Sequence, residues 1–278
     1  MLQRILVSVV GIPLLLFVLI IAPDWVAAIF LCALCAVAAH ELLSAACRRE
    51  LAGRWWGLSA IMGVCVILHI YLSTVGESGM AALTAWLLAA FLILLFISVV
   101  VEYGTERALA FHDTCVILVA GLAIPLAFSC LLRLRLMDYG GGMVMIPLVA
   151  AFCSDSAALF AGMAFGKHKL APRVSPKKTV EGAIGGLLGG MLGMVIFRIV
   201  MFLVSQVQLN IAWCLLLGLV GAAMGQLGDL SFSAVKRECG IKDYGRLLPG
   251  HGGVLDRFDS VIFASPVVWL LISSITLY

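Results

Sequence analysis

Charged residues are scarce in this sequence. Only 12% of its 278 residues are Asp, Glu, Lys or Arg, whereas 63% are hydrophobic. A soluble domain carries about 25% charged residues, so the composition excludes an ordinary water-soluble fold and indicates an integral membrane protein. The net charge is only +3, and the basic residues cluster in a few loops. That distribution favours membrane topology and predicts no nucleic-acid partner.

The cysteines lack the spacing of metal ligands. The chain also shows no convincing internal repeat. Nine Cys are present, but most lie inside apolar runs, without the spacing of zinc sites or of secreted disulfide frameworks. We interpret them as small apolar side chains in packed helices. The missing repeat counts against a transporter built from two related halves.

Long apolar runs, by contrast, are abundant. A hydrocarbon core requires about 20 apolar residues per helix. The nine predicted spans are residues 5–22, 25–46, 55–74, 79–101, 114–132, 143–165, 183–204, 211–232 and 260–277. Pro23, Asp24 and Trp25 follow the first run in place of a cleavage site, so we expect an anchored helix and not a removed signal peptide. The predicted fold is an all-α, polytopic membrane protein with about nine transmembrane helices.

The loops between the spans predict the orientation. Basic residues concentrate at residues 48–54, 167–178 and 236–257, while the connections at 75–78 and 205–210 have none. Because Lys and Arg are enriched in cytoplasmic loops, this pattern predicts a cytoplasmic N-terminus and, after nine crossings, an outer C-terminus.

Several isolated polar residues are interpreted structurally. His40 and Glu41, late in the second span, are expected to form an interfacial pair. Asp113 suits the N-terminus of the fifth span, where the helix dipole favours a carboxylate. Arg133 and Arg135 depart from the orientation pattern by falling on the outer side. Arg198, in the outward half of span seven, is long enough to reach the interface.

The remaining polar residues concentrate in the C-terminal half. We therefore predict a scaffold of about five helices at residues 1–140. A catalytic region of about four helices, with two polar cytoplasmic loops, is predicted at residues 141–278. Asp155, in the middle of span six, is expected to face a polar cavity or a partner, because a carboxylate facing lipid is costly. An interhelical hydrogen bond is the structural alternative.

The first polar loop runs from Ser175 through Thr179 with the sequence Ser-Pro-Lys-Lys-Thr. Lys177 and Lys178 offer cationic donors. Ser175 and Thr179 offer hydroxyl groups beside the start of the next helix, where free backbone N–H groups favour anions. The alternative is a basic loop that serves topology alone.

The second polar loop, from Asp229 to Asp259, is the most polar stretch of the chain. If span eight continues as a helix, Asp229, Ser233, Lys236 and Arg237 share one face, because they follow i,i+3 and i,i+4 spacing. That face carries a cation acceptor, a hydroxyl group and two phosphate donors.

Glycines and a second carboxylate pair complete this loop. The glycines at residues 250–253 interrupt any helix and let the backbone approach a ligand closely. Asp256 and Asp259 follow at i,i+3 spacing, so both carboxylates can bind a divalent cation, and hard oxygen ligands beside phosphates suit Mg²⁺. We interpret the stretch as a metal and polyphosphate site. A structural network of ion pairs is the alternative.

These motifs resemble those of a known family. The run from Ser233 to Asp259 has the pattern Ser-x2-Lys-Arg-x4-Lys-Asp-x-Gly-x2-Leu-Pro-x-His-Gly-Gly-x2-Asp-Arg-x-Asp. It is similar, without a departure, to the signature of phosphatidate cytidylyltransferases, also called CDP-diacylglycerol synthases. The Gly-Gln-x-Gly-Asp run ending at Asp229 and the Ser-Pro-Lys-Lys-Thr loop also resemble this family. The N-terminal half resembles it only in hydropathy and number of spans.

The resemblance implies a membrane enzyme of phospholipid biosynthesis that transfers CMP from CTP to phosphatidate, giving CDP-diacylglycerol and pyrophosphate. It also implies Mg²⁺, a second, monovalent cation such as K⁺, and a homodimer. We expect the site on the cytoplasmic side of the plasma membrane, where CTP in water meets a lipid headgroup while the acyl chains stay in hydrocarbon.

The implied reaction assigns a role to each of these polar residues. The predicted catalytic residues are Asp229, Ser233, Lys236, Arg237, Asp256 and Asp259, of which the three Asp are the predicted metal ligands. The predicted substrate-binding residues are Ser175, Lys177, Lys178, Thr179, Lys242, His251, Gly252 and Gly253. Asp155 and Glu181 are expected to support a second cation or to orient the lysines.

Two other functions compete with this prediction. A CTP-dependent polyprenol or phytol kinase would use the same nucleotide but transfer its γ-phosphate. A cation-coupled transporter would use Asp155 and Asp229 as an ion pathway. A purely structural scaffold leaves the Asp and Lys pattern unexplained.

Overall fold

The computed structural model describes residues 2–76, 80–247, 250, 252–275 and 277. The helices are Leu2–Leu16 (α1), Asp24–Ala46 (α2), Arg49–Val75 (α3), Met80–Val101 (α4), Phe111–Leu118 (α5), Ile124–Arg135 (α6), Gly140–Met143 (α7), Met145–Phe165 (α8), Val180–Ser205 (α9), Ile211–Glu238 (α10) and Leu255–Ser274 (α11). A π-helical segment, Phe17–Ile21, continues α1, and another, Val119–Ala123, joins α5 to α6.

Most of these helices have the length and apolarity of membrane spans. Within the described ranges, seven stretches qualify: Asp24–Ala46, Arg49–Val75, Ala81–Val101, Phe111–Arg135, Gly140–Phe165, Val180–Ser205 and Ile211–Glu238. Val9–Ile21 is apolar but shorter. The prediction of an all-α, multi-pass membrane protein is confirmed. The count of nine spans and the cytoplasmic N-terminus stay predictions.

The chain forms two compact units. The N-terminal unit comprises Met1–Leu136 together with Ile241–Arg257, and the C-terminal unit comprises Met137–Gly240 together with Phe258–Tyr278. Most of the glycine-rich part of the second polar loop therefore belongs to the N-terminal unit, although it lies near the end of the sequence. The predicted functional division into a scaffold and a catalytic region stays a prediction.

The N-terminal unit packs around α2, α3 and α6. Leu31, Leu43 and Ile67 are fully buried in it. Arg135, one of the two basic residues that depart from the orientation pattern, lies 3.2 Å from the carboxylate of Asp24. Arg135 also donates a 2.9 Å hydrogen bond to the carbonyl of Ala22. Its charge is thus compensated inside the protein.

The C-terminal unit packs α8, α9 and α10 at very short range through small residues. A Cβ atom added at Gly218 would lie 2.6 Å from the carbonyl oxygen of Gly190, and one added at Gly221 would lie 2.7 Å from the Ala150 side chain. Such small residues let helices associate in a bilayer, where packing replaces the hydrophobic effect as the driving force. Arg198 on α9 donates to the carbonyl of Leu209 at 2.7 Å and so reaches the connection before α10.

A short antiparallel hairpin precedes α9. Its strands are Lys169–Ala171 (β1) and Ser175–Thr179 (β2), and Lys169 pairs with Thr179. The first polar loop is therefore a strand that runs directly into a helix. Thr179 caps that helix, because its hydroxyl oxygen accepts the N–H of Gly182 at 3.1 Å.

Candidate functional site

The polar face predicted on α10 is present in the C-terminal unit. Helix α10 continues to Glu238, and the hydroxyl group of Ser233 donates to the carboxylate of Asp229 at 3.2 Å. Ser233 and Lys236 are both buried. A buried ammonium group requires a nearby anion or another strong acceptor, because an unpaired charge is costly away from water. The face of α10 therefore combines two buried polar groups with the half-buried Asp229 and the exposed Arg237.

The hairpin adds a second cation to this face. The ammonium group of Lys178 on β2 forms an ion pair with the carboxylate of Asp229 on α10, and both side chains are largely shielded from solvent. The guanidinium Nε of Arg237 donates to the carbonyl of Val174 at 3.2 Å. These two contacts fix the hairpin against α10 and join the two polar loops within one unit.

Asp259, near the start of α11, supplies a further carboxylate. It is buried, and its Oδ1 atom accepts the N–H of Ser260 at 2.7 Å. The charges of Asp229, Lys236 and Asp155 all act on it. Gly228 makes the approach possible, since a Cβ atom there would lie 2.5 Å from the Asp259 carbonyl oxygen. Three predicted residues and Asp155 thus gather in the C-terminal unit.

The carboxylates of this cluster fit a hard divalent cation. Among the residues that the structure describes, no three His, Cys, Asp or Glu side chains lie close enough together to hold a metal ion by themselves. Mg²⁺, however, is usually held by one or two carboxylates plus water and substrate phosphates. Asp229 and Asp259 provide two such carboxylates, and their mutual repulsion favours a cation near them.

Asp256 has a different environment, in the N-terminal unit. Its Oδ2 atom accepts the N–H of Tyr244 at 2.8 Å and the N–H of Gly253 at 2.9 Å. The carboxylate is buried and holds the two ends of the glycine-rich segment together. Gly252 has a φ angle of 86°, a left-handed conformation that favours glycine. The role of Asp256 as a metal ligand stays a prediction, and its role in holding the loop was not predicted.

Glu41 on α2 holds the same segment from the other side. Its Oε1 atom accepts the N–H of Val254 at 3.0 Å, and its Oε2 atom accepts the N–H of Leu255 at 2.8 Å. Only 5% of Glu41 is exposed. His40 packs edge-on against Trp56, with ring centroids 5.5 Å apart. The interpretation of His40 and Glu41 as an interfacial pair stays a prediction, whereas the backbone contacts of Glu41 were not predicted, because its partners lie more than 200 positions away.

Comparison with known proteins decides the family. Residues 2–275 match the sequence model described as "Cytidylyltransferase family". The chain belongs to this family. The family and the enzyme class predicted from the polar motifs, a CTP-dependent nucleotidyltransferase, are therefore confirmed.

Curated relatives of this cytidylyltransferase carry a more specific name. A phosphatidate cytidylyltransferase of Pseudomonas aeruginosa is 35% identical over 271 residues, covering 95% of this chain and 94% of that protein. One from Bacillus subtilis is 35% identical over 187 residues, which is 67% of each chain. One from Staphylococcus haemolyticus is 40% identical over 129 residues, and this match spans 48% of that protein.

Two polar residues of the hairpin region of this cytidylyltransferase have structural partners. Glu181 accepts hydrogen bonds from the backbone N–H groups of Lys167 and His168 and lies 2.6 Å from the His168 ring. It anchors the start of the hairpin, and its predicted effect on the lysines stays a prediction. Thr179 uses its hydroxyl oxygen as a helix cap, which leaves its proton as the group available to a phosphate.

The other predicted substrate-binding residues occupy varied positions. Lys177 and Lys242 are exposed, Ser175 and Gly252 are half-buried, and Gly253 is buried. His251 lies outside the described residues. The close neighbour of the Gly253 backbone is the protein's own Glu41 carboxylate. The contact of all these residues with substrate stays a prediction.

Proposed function

We propose that this cytidylyltransferase transfers CMP from CTP to phosphatidate, giving CDP-diacylglycerol and pyrophosphate. The observation that carries the proposal is the cluster in the C-terminal unit, where Lys178 is paired with Asp229 and Lys236 acts on Asp259. The name of the Pseudomonas aeruginosa relative, which aligns over 95% of this chain, supports the same activity.

The reaction explains why cations and carboxylates are needed together. An oxygen of the phosphatidate phosphate forms a bond to the α-phosphorus of CTP, while the bond from that phosphorus to the pyrophosphate oxygen breaks. Both reactants are anions, so the main task of the enzyme is to bring them together and to compensate their charge. A phosphate monoester is already ionised near neutral pH, since its second pKa is about 6, so a strong general base is unnecessary.

The chain's own residues divide this task. Lys178, Lys236 and Arg237 provide positive charge and donors for phosphate oxygens, and Ser233 provides a hydroxyl group beside Asp229. Lys178 is already oriented by its ion pair. A cation held in place before substrate arrives loses little freedom on binding, and such preorganised charge is what lowers the barrier to transfer.

Mg²⁺ is the proposed cofactor. Asp229 and Asp259 would hold it, and Asp256, one helical turn before Asp259 in the sequence of α11, is the predicted third ligand. When bound, Mg²⁺ supplies positive charge to the phosphates and to the leaving pyrophosphate. A second, monovalent cation such as K⁺ and a homodimer remain part of the proposal on the strength of the sequence resemblance alone.

We further propose that the site faces the cytoplasm. The seven apolar helices indicate a multi-pass membrane protein. The proposal for the site rests on the basic residues around it, because loops rich in Lys and Arg stay on the cytoplasmic side. There, CTP enters from water and the headgroup of phosphatidate is within reach.

The decisive experiment uses the full-length protein in detergent with phosphatidate and CTP labelled at its α-phosphate. We expect label in a chloroform-soluble lipid, with release of pyrophosphate. EDTA should abolish the transfer and added Mg²⁺ should restore it. Label in the lipid only when CTP carries it at the γ-phosphate, with a polyprenol or phytol as acceptor, would identify a kinase and reject the proposal. Ion flux in proteoliposomes without substrate would identify a transporter.

A further inference from the structure

Glu41 makes an unusual contact with the segment that leads into α11. It lies on α2, is buried, and its two carboxylate oxygens each accept one backbone N–H group, from Val254 and from Leu255. These donors stand at the start of α11. The first N–H groups of a helix have no partner within the helix, so a side chain must satisfy them when they are buried. Glu41 does so from another helix.

Two glycines near this carboxylate, Gly245 and Gly253, leave the space that it occupies. A Cβ atom added at Gly253 would lie 2.5 Å from Oε2 of Glu41, and one added at Gly245 would also collide with the same carboxylate. Neither glycine has a positive φ angle. Their lack of a side chain is therefore required by the space that Glu41 occupies and not by the backbone conformation.

Two carboxylates together bind the backbone of Tyr244 and of residues 253–255. Asp256 binds the N–H groups of Tyr244 and Gly253, and Glu41 binds the next two N–H groups along the chain. Three consecutive N–H groups thus point at carboxylate oxygens. Hydrogen bonds to ionised acceptors are about twice as strong as neutral ones, so this arrangement holds the backbone of Tyr244 and of residues 253–255 firmly.

We propose that Glu41 is a positioning residue for CMP transfer, acting through residues 253–255 and the first turn of α11. It contacts backbone and not substrate, so it differs from the groups that act on phosphate or metal. The inference rests on the proposed function, because the segment carries predicted nucleotide-binding glycines and α11 carries Asp256 and Asp259. Loss of a partner that orients ligating side chains typically costs about 10- to 100-fold in activity or metal affinity.

The test compares full-length wild type with Glu41→Gln. The amide keeps the shape of the side chain but has one acceptor oxygen, and its NH₂ group faces a second N–H donor. We expect the turnover number to fall about tenfold or more, and the half-saturating concentration of CTP or of Mg²⁺ to rise by a similar factor. The matched control is Glu50→Gln, which removes the same charge from an exposed position at the start of α3.

The half-saturating concentrations separate positioning from a loss of folded protein. Fewer folded molecules would lower the rate equally at every concentration of CTP and Mg²⁺ and would leave both half-saturating values unchanged. Values in Glu41→Gln that match those of Glu50→Gln would overturn the proposal. If Glu41→Gln does not fold, Gly245→Ala keeps every charge and displaces the carboxylate, and its control is Gly53→Ala, which meets no atom within 4 Å.

Limited trypsin digestion supplies a readout that needs no activity. Lys242 and Arg246 are exposed and lie two residues before and two residues after Tyr244. We expect faster cleavage after both residues in Glu41→Gln than in wild type, because one N–H group of residues 254–255 loses its acceptor and the other bonds to a neutral amide oxygen. An unchanged cleavage rate would show that Glu41 does not position the segment. If wild type transfers no CMP, the proposed function is rejected, and the digestion still decides whether Glu41 holds the segment.

Discussion

Asp256→Asn separates two roles of one carboxylate. In the structure its Oδ2 atom accepts hydrogen bonds of 2.8 Å from Tyr244 and 2.9 Å from Gly253. The sequence predicts that the same group is a metal ligand. Asparagine has nearly the same shape, and its amide oxygen can still accept both N–H groups. The substitution therefore removes the charge and leaves the loop contacts in place.

The stability cost follows from these two hydrogen bonds. A hydrogen bond to a charged acceptor contributes about 1.5–3 kcal/mol and one to a neutral acceptor about 0.5–1.5 kcal/mol. In Asp256→Asn both bonds change from a charged to a neutral acceptor, and together they contribute about 2 kcal/mol less to the free energy of unfolding. The neighbouring charge of Glu41 repels Asp256, so its relief reduces that loss. Each kcal/mol shifts the thermal midpoint by about 2–4 °C, so we expect the midpoint to fall by no more than about 4–8 °C.

The activity cost is expected to be much larger. A metal ion contributes several kcal/mol to the stabilisation of transition-state charge, and a loss of about 2.7 kcal/mol corresponds to a hundredfold lower rate. We therefore expect Asp256→Asn to fold and to retain less than about 1% of the CMP transfer. The assay measures labelled lipid at saturating CTP, beside a thermal unfolding curve in the same detergent. Near-normal turnover with the expected small shift in midpoint would refute the metal role and leave Asp256 as a loop contact only.

Two further substitutions test the C-terminal unit. Lys178→Gln removes an ammonium group from the carboxylate cluster and should lower CMP transfer about a hundredfold, as loss of one charge-stabilising donor does; the exposed Lys167→Gln is its control, and equal activities would exclude Lys178 from the site. Gly218→Ala adds a methyl group 2.6 Å from the carbonyl oxygen of Gly190 and should destabilise the protein by about 1–3 kcal/mol. Gly57→Ala meets no atom within 4 Å, so a shift in thermal midpoint no larger than in that control would contradict the close helix packing.

Seven of the nine predicted spans coincide with long apolar helices among the described residues, because hydropathy reports the lipid environment directly. The ends of these helices were not predictable. The predicted span 211–232 is part of a helix, Ile211–Glu238, that continues through its polar end, since backbone hydrogen bonds persist where hydropathy falls. The hairpin at Lys169–Thr179 was expected as a loop. Its strands are too short to show an alternating pattern, and their pairing becomes visible only in three dimensions.

The candidate site, too, was predictable from the sequence only in part. The spacing of Asp229 and Ser233 predicted one helix face, and their hydrogen bond confirms that geometry. The glycines at residues 250–253 indicated a close approach to the backbone, but the sequence cannot say which group approaches Gly253. That group is Glu41, whose partners Val254 and Leu255 are 213 and 214 positions away. A contact between one carboxylate and distant backbone leaves no periodicity or spacing to detect.

The assignment of Ile241–Arg257 to the N-terminal unit has a consequence for biosynthesis. Glu41 leaves the ribosome 213 residues before its first backbone partner, which at about 5–20 residues per second is a delay of roughly 10–40 s. During that interval α2 is inserted with a carboxylate whose native acceptor role is unfilled. The N-terminal unit therefore cannot complete these contacts until residue 255 has been synthesised, and a chain that stops before residue 254 lacks both backbone partners of Glu41.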